Sequence, residues 1–244
     1  MNEAVSAGDE TGWKASLRLG FAARSGATVV ARRIHRGPLV MQRAFYPEGR
    51  DVAHVYVLHP PGGFVGGDTV MLSVELGAGA HALVTTPAAG KAYRSDGVRT
   101  ARVSQHLEVG DDATLEWFPQ ETIVFDGART DLSTRVDLAA GARFCGWEIL
   151  CCGRTAGGER LTQGLCRQRF ELWRAGIPLV IDKTRLEGGG ALLTEPYGLN
   201  GQPVLGTMIV APAVGEIDGV RALITTFLET SPASTSATES ETVV

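Results

Sequence analysis

A short turn pattern occurs three times in this chain and restricts its possible folds more than any other feature. Residues 75–82, 108–115 and 137–144 each read as an acid, an aliphatic residue, a small or glycine-containing turn, an alanine and a new extended run. The copies start roughly 30 residues apart, a period typical of stacked supersecondary units. A fourth, looser copy is expected to begin at Glu171. We interpret the repeat as stacked strand–turn–strand units, with an ordinary antiparallel sandwich as the alternative.

Alternation of apolar residues supports the β interpretation. Val70, Leu72, Val74 and Leu76 occupy every second position, and the runs Val103-Gln105-Leu107-Val109 and Leu132-Thr134-Val136-Leu138 repeat this spacing. Such alternation is typical of half-buried strands. The 31 glycines, which follow no collagen-like period, indicate many tight turns between short strands.

Helix signals are few. Residues 218–229 carry an amphipathic stripe at helical spacing, and Asp218 can serve as its N-cap. The stripe consists of Val220, Leu223, Ile224, Phe227 and Leu228. A weaker helix candidate covers residues 88–94. The predicted fold class is mainly β, with stacked β-helix-like sheets and about two α-helices.

The predicted domain organisation is simple. Residues 1–12 are polar and expected to be disordered, residues 13–230 to form a single β domain, and residues 231–244 to form a disordered Ser/Thr-rich tail. The N-terminus does not resemble a signal peptide. No apolar run approaches the length that spans a bilayer, so a cytoplasmic location is expected.

Charge and cysteine content exclude several classes of protein. The formal net charge of -4 does not suit a general nucleic-acid or anionic-membrane binder. The four cysteines, Cys145, Cys151, Cys152 and Cys166, show no paired CxxC spacing, which argues against a structural zinc site. In a reducing cytosol they are expected to be free thiols.

The most unusual segment, residues 59–68, contains two prolines and four glycines. It is not a phosphate-binding loop, because no Lys-Ser or Lys-Thr follows the glycines and the segment precedes a strand rather than a helix. A structural corner where backbone approaches backbone is the interpretation that the spacing favours.

Two further segments carry acids that suggest chemistry. Glu116 and Glu121 follow one another closely enough to be considered as a glycosidase carboxylate pair, although strands routinely carry outward acids. Glu148 lies between Trp147 and Ile149 on an apolar strand, and a carboxylate buried there needs a partner or water. Thiols and carboxylates together can ligate a borderline metal such as nickel. Adjacent residues of a strand face opposite sides, however, so packing is the simpler role for Cys151 and Cys152.

Four motifs in this order resemble the family of urease accessory proteins UreD, also called UreH. They read HPPGGFVGGD, TTPAAGKAYRS, LEWFPQETIVF and WEILCCGR. The earlier stretch GPLVMQRAFYPEG and the later stretch VIDKTRLEG are also similar to that family, and the resemblance covers residues 13–227.

The resemblance implies a non-enzymatic cytoplasmic chaperone with a mostly β fold of stacked sheets. It implies partners, namely UreF, the GTPase UreG and apo-urease, with a dimer of the accessory complex as one option, and delivery of nickel(II) into urease. It implies no tightly bound cofactor, only nickel(II) in transit. The alternative from another class is a β-fold carbohydrate-active enzyme that uses Glu116 and Glu121.

Proteins of this family are also thought to hold an internal route for the ion. Position by position, the resemblance assigns Asp68, Glu148 and Asp182 to such a route. A conduit for a divalent cation needs sparse oxygen ligands, because these hold nickel less tightly than thiolate or imidazole clusters do.

One departure from the family concerns the C-terminus. Family members continue past the helix at 218–229 with a further strand and helix, whereas this sequence becomes rich in serine and threonine. The last part of the family fold is therefore expected to be short or replaced.

Overall fold

The computed structural model describes residues 12–212 and, beyond them, Gly219, Ala222, Thr225 and Thr226. The strands of the described part are β1 (Lys14–Arg24), β2 (Ala27–Arg36), β3 (Val40–Met41), β4 (Val52–Leu58), β5 (Thr69–Leu76), β6 (His81–Thr85), β7 (Gly90–Ala92), β8 (Ala101–Val109), β9 (Thr114–Phe118), β10 (Thr122–Val124), β11 (Arg129–Leu138), β12 (Arg143–Cys152), β13 (Leu165–Arg174), β14 (Ile177–Glu187) and β15 (Val204–Ala211). A short helix, α1 (Ala191–Thr194), and a 3₁₀ turn at Thr155–Gly157 complete them. The predicted mainly β class is confirmed.

The first sheet has the order β14-β13-β11-β8-β5-β1-β2. Its neighbouring strands from β13 to β1 pair in parallel, and an antiparallel hairpin closes each end. Both hairpin turns place two residues at positive φ, Ser25 (49°) with Gly26 (74°) and Ala175 (47°) with Gly176 (81°). Two left-handed residues match the twist of paired strands in such tight turns.

The second sheet has the order β3-β4-β6-β9-β12, and β15 pairs antiparallel with β12. In two layers of this sheet the strand is interrupted and continues as a second, shorter strand, so that β7 follows β6 and β10 follows β9. β6 and β9 pair with each other, and farther along the chain β7 and β10 pair in the same way. The long strand β12 pairs with β9 through its first half and with β10 through its last residues.

The repeat of turns stacks as the sequence predicted. Leu76, Val109 and Leu138, which end β5, β8 and β11, lie side by side. Each turn is hydrogen-bonded to the one before it, through Gly110 N to Leu76 O at 2.8 Å and Ala139 N to Val109 O at 2.9 Å. The alanines of the three copies, Ala80, Ala113 and Ala142, are fully buried. The chain therefore winds between the two sheets as stacked layers.

Two local expectations differ from the structure. At Glu171 no fourth crossover begins, because β13 turns back through Ala175–Gly176 into β14. The helix predicted at 88–94 is wrong, since β7 occupies Gly90–Ala92 and pairs in parallel with β10. The helix predicted at 218–229 lies largely outside the described residues. The residues described within that range, Gly219, Ala222, Thr225 and Thr226, are helical. The expected disorder of residues 1–12 and 231–244 concerns residues outside the described part, apart from Gly12.

The Gly/Pro-rich segment 59–68 links β4 of the second sheet to β5 of the first. It thus forms the predicted corner. Gly63 has Lys91 O at 2.6 Å from the position a Cβ would take, which explains why glycine is required where the segment passes β7.

The interior contains two separate apolar clusters. The larger one includes Leu76, Leu107, Trp117, Val136 and Phe144. The smaller one includes Ala101, Val124, Leu150, Cys152 and Cys166. No helix among the described residues is long and apolar enough to cross a membrane.

Candidate functional site: a polar layer between the two sheets

Polar side chains occupy the inward positions at which the two apolar clusters meet. Glu148 lies between Phe144 of the larger cluster and Leu150 of the smaller one along β12. Gln105 of β8 and Thr134 of β11 lie side by side, and Gln168 of β13 lies beside Leu132, two residues earlier in β11. We call Gln105, Thr134, Glu148 and Gln168 the polar layer.

The polar layer is a continuous chain of hydrogen bonds. Gln168 Nε2 donates to Glu148 Oε2 at 2.6 Å. The hydroxyl of Thr134 lies in contact with Glu148 Oε1 and 2.5 Å from Gln105 Oε1. A threonine hydroxyl has one proton and cannot donate to both oxygens.

Two proton arrangements satisfy this chain. In one, a protonated Glu148 donates to Thr134, which donates to Gln105 Oε1. In the other, Glu148 is ionised, Thr134 donates to it, and the Gln105 amide is turned so that its NH₂ group donates to Thr134. The layer can therefore accommodate both charge states of Glu148 without moving its backbone.

The electrostatic environment favours the neutral form of Glu148. Burial raises the pKa of this carboxyl above its ordinary value, hydrogen bonds from Thr134 and Gln168 oppose that rise, and the charge of Asp182 adds to it. No positively charged side chain of the described residues forms an ion pair with Glu148. Glu148 is therefore a carboxyl whose hydrogen bonds come from the neutral side chains of Thr134 and Gln168.

Asp182, the third acid assigned by the resemblance, lies on the edge strand β14 beside Phe170 and is exposed. Its charge raises the pKa of Glu148, which places the two carboxyls within electrostatic reach of each other. Of the three acids assigned by the resemblance, Glu148 and Asp182 are thus the two that interact electrostatically.

Asp68 lies in a different region and holds the loop together. Its Oδ1 accepts a hydrogen bond from Trp13 N at 2.8 Å and its Oδ2 one from Val65 N at 2.9 Å. It also lines a cavity of about 310 Å³, together with His59 and Tyr93. The structure does not place Asp68 in contact with the polar layer.

A second cavity, of about 350 Å³, shares lining residues with the first cavity and reaches one member of the polar layer. Its walls include Gln105 of the polar layer and His59, which lines the first cavity as well. Trp117 lines the same wall, and its Nε1 is buried without a hydrogen-bond partner among the described residues. Burial lowers the pKa of His59, while the charge of Asp68 raises it.

Sequence reasoning missed His59, Gln105, Thr134 and Gln168 as members of this site. The signal for two of them was present, because Gln105 and Thr134 replace apolar residues in otherwise regular alternating runs. A polar residue in the inward phase of a strand indicates a polar spot in the core. His59 and Gln168 carry no such local signal.

The remaining candidates lie apart from this layer. Glu116 is on the outer face of the second sheet, 2.7 Å from His81 Nε2, and Glu121 lies between β9 and β10. Neither lines the two cavities described above. Cys145 and Cys151 are partly buried, and burial raises the pKa of the Cys152 thiol to about 11 and that of Cys166 to about 12.

All four thiols are free. Within residues 12–212 and the four described residues beyond them, no group of three or more His, Cys, Asp or Glu side chains is placed to hold one metal ion.

The family model described as UreD urease accessory protein matches residues 14–244 of the chain. The chain belongs to the UreD family. Urease accessory protein UreD of Azoarcus sp. (strain BH72) is 54% identical over 202 residues, which are 83% of this chain and 70% of that protein. The UreD proteins of Dechloromonas aromatica (strain RCB) and Citrobacter koseri are 49% and 43% identical, over 82% and 86% of this chain and 69% and 72% of theirs.

Membership of the UreD family supports a role in urease maturation. The resemblance drawn from the four motifs is thereby confirmed. All four contribute to the site. HPPGGFVGGD contains His59 and Asp68, WEILCCGR contains Glu148, and TTPAAGKAYRS and LEWFPQETIVF both line the second cavity, the former with residues 86–91 and the latter with Trp117.

Proposed function

We propose that this UreD-family chain acts in the cytoplasm as a non-enzymatic chaperone that passes nickel(II) through its interior to apo-urease, in a complex with UreF and the GTPase UreG. The observation that carries this proposal is the position of Glu148, a carboxylate without a cationic partner between two apolar clusters. Such an acid costs stability unless something offsets it. A transient cation would do so.

The proposed route uses the two cavities and the polar layer in sequence. Asp68 and His59 lie at the first cavity, the second cavity leads to Gln105, and the polar layer leads to Glu148 and Asp182. Amide, hydroxyl and carboxylate oxygens along such a path replace part of the ion's hydration shell. Because oxygen ligands hold nickel more weakly than thiolates or imidazole clusters, the ion is able to leave again.

Each residue has a distinct part in this proposal. The His59 imidazole, whose pKa is lowered by burial, is kept in the neutral form that can bind a metal. Glu148 attracts the cation, and the Thr134 hydroxyl and the Gln105 amide adjust their hydrogen bonds as Glu148 changes charge. Asp182 provides the acid nearest the exposed edge of β14.

The carbohydrate-active alternative receives no support from the positions of its two acids. Glu116 Oε1 lies 2.7 Å from His81 Nε2, and neither Glu116 nor Glu121 lines either cavity. We therefore assign no catalytic residue to this chain.

The test is urease activation in nickel-supplied cells that lack their own copy of this accessory protein. We expect the chain to restore urease activity, Glu148→Gln to reduce it strongly, and Glu116→Gln and Glu121→Gln to leave it unchanged. The two latter variants are matched controls, since each removes one carboxylate outside the route. Soluble wild-type chain that leaves urease inactive would contradict the proposal, and full activity of the Glu148→Gln, Asp182→Asn and Asp68→Asn variants would contradict the route.

A further inference from the structure

The outer face of the first sheet carries its polar side chains in rows, because its strands are in register and inward and outward residues alternate. One row crosses the sheet from β14 to β1. It consists of Arg185, Arg167, Asp131, Arg102, Thr69 and Lys14. The neighbouring row consists of Lys183, Arg169, Ser133, Ser104, Met71, Ser16 and Arg36.

These two rows hold seven cations and one acid on a chain whose formal net charge is -4. We call Lys14, Arg36, Arg102, Arg167, Arg169, Lys183 and Arg185 the basic band. All seven are exposed. Its middle is lined by the small residues Ser16, Ser104 and Ser133, which leave room for close approach. From β14 to β1 the band crosses five strand spacings, about 24 Å at about 4.8 Å each.

Two cation pairs within the basic band oppose folding. Arg167 lies directly opposite Arg185, and Arg169 directly opposite Lys183, on the outer face of the β13–β14 hairpin. Like charges in directly opposite positions destabilise a strand pair. Neighbouring acids offset part of this cost, because Arg167 contacts Asp131 at 3.2 Å and Arg169 contacts Glu171.

Three members of the band have no ion pair among the described residues, namely Arg36, Arg102 and Lys183. Protection of sheet edges by charge accounts for cations on the edge strands β14 and β2. It does not account for Arg102, which lies on the interior strand β8 and belongs to the three members without an ion pair. The band therefore calls for an explanation outside the fold itself.

An acidic row on the same face limits what can dock there. Asp137, Glu108 and Glu75 lie side by side, four residues along the strands from the Lys183–Arg36 row, which is about 13 Å at about 3.3 Å per residue. A uniformly anionic polymer or membrane lying over the sheet would meet these acids as well as the cations. A protein surface, whose charge can vary over such distances, would not be repelled.

We propose that the basic band is a docking surface for a partner protein whose facing surface is acidic. Complementary charge fixes orientation and raises the association rate. This assignment goes beyond the proposed nickel route, uses none of its residues and is testable without urease.

The test uses the full chain and a fluorescent octaglutamate peptide, which spans about 27 Å when extended and so matches the length of the band. Binding is measured by fluorescence anisotropy at about 50 mM and about 200 mM salt. We expect the triple variant Arg36→Glu, Arg102→Glu, Lys183→Glu to bind at least about tenfold more weakly than wild type at the lower salt concentration. The corresponding Gln triple variant is measured beside it in case the charge reversal impairs folding.

The matched control is the triple variant Arg24→Glu, Arg33→Glu, Arg50→Glu, which makes the same change in net charge with exposed residues outside the band. We expect it to bind the peptide as wild type does. Equal weakening in the control and band variants would overturn the proposal. So would tighter binding of a DNA duplex or of phosphatidylglycerol vesicles than of the peptide, lost in the band variant, because the surface would then serve a different class of partner.

Discussion

Two glutamates of this chain, the partly buried Glu148 and the buried Glu171, have contrasting surroundings. Glu148 lies between the sheets, where it accepts hydrogen bonds from neutral groups. Glu171 is 5% exposed on the outer face of the first sheet, in the row next to the basic band. Burial raises the pKa of both carboxyls, but only for Glu148 is the net shift upward.

The difference comes from the partners of Glu171. Trp173 Nε1 donates to its Oε2 at 3.1 Å, Arg135 lies 3.5 Å from the same oxygen, and Arg169 contacts the other. These hydrogen bonds and charges outweigh burial, so the pKa of Glu171 lies below its ordinary value. Arg135 also stacks 4.6 Å from the Trp173 ring, which covers the carboxylate.

The comparison separates a structural acid from a functional one. A carboxylate supplied with cations by its own fold contributes to stability. A carboxylate that accepts hydrogen bonds only from neutral donors carries a negative charge that no cation of the fold balances. Such a charge is available to a cation from outside. On this ground Glu171 holds the outer face together, and Glu148 is assigned to the proposed nickel route.

The largest expected effect is on Glu171. Glu171→Gln should lower the free energy of unfolding at neutral pH by about 2 kcal/mol, because hydrogen bonds to a charged group are worth about 1.5–3 kcal/mol. Chemical denaturation measures it. Urease activation by the variant, corrected for the amount of soluble protein, should match wild type. Unchanged stability would show that the exposed arginines contribute nothing to holding this carboxylate.

Glu148→Gln should have the opposite effects, namely no loss of stability and a loss of urease activation. Its free energy of unfolding at neutral pH should equal or exceed that of wild type, since a neutral amide no longer needs desolvation of a charge. Urease activation should fall about tenfold, equivalent to about 1.4 kcal/mol. Glu171→Gln, tested in parallel, is the matched control. Loss of stability together with activity would make Glu148 a structural acid and remove the contrast.

The pH dependence of stability should differ in sign between the two acids. The pKa of Glu171 is lowered in the folded state, so its stabilisation is complete above the ordinary value of 4.5 and is lost as pH falls through the folded value. The pKa of Glu148 is raised, so its contribution is complete below 4.5 and is lost as pH rises through the folded value.

The measurement is the difference in free energy of unfolding between wild type and each Gln variant, followed from about pH 2.5 to about pH 8 so that the range extends well below 4.5. The advantage of wild type over Glu171→Gln should decrease towards acid pH. The advantage of wild type over Glu148→Gln should decrease towards alkaline pH. Parallel curves would mean that both acids have equivalent surroundings.

The stacked-sheet fold could be predicted from the sequence because each copy of the repeated turn pattern lies within a short stretch of the chain. Acid, aliphatic residue, glycine turn and alanine recur within each copy, so the stacking of Leu76, Val109 and Leu138 follows from pattern alone. The ends of the first sheet could not be predicted in this way. β13 and β14 form a hairpin through Ala175–Gly176, and a two-residue turn there ends the repeat instead of extending it.

The site was predictable only in part, since its members come from four strands. Glu148 stood out because an acid interrupts an apolar strand, and Gln105 and Thr134 were visible as polar residues in the inward phase. Their contact with one another depends on register between strands, which a single sequence does not contain. The basic band could not be predicted for the same reason. Arg102 and Arg167 are far apart in the chain and share a row only through β11.

The smallest effect tests whether the polar layer adjusts to the charge of Glu148. In the ionised state the Thr134 hydroxyl donates to this carboxylate, and that hydrogen bond lowers the pKa of Glu148. Thr134→Val removes the donor while keeping nearly the same shape, so the pH at which stability declines should move upward. The loss of free energy of unfolding should be about 1 kcal/mol.

In the double variant Thr134→Val, Glu148→Gln the two changes should be less than additive, because both remove the same contact. Thr134→Ser, which retains the hydroxyl, is the control and should keep the wild-type pH profile. If Thr134→Val and Thr134→Ser behave alike, the hydroxyl does not couple Gln105 to Glu148, and the contrast between the two glutamates rests on burial and counter-charge alone.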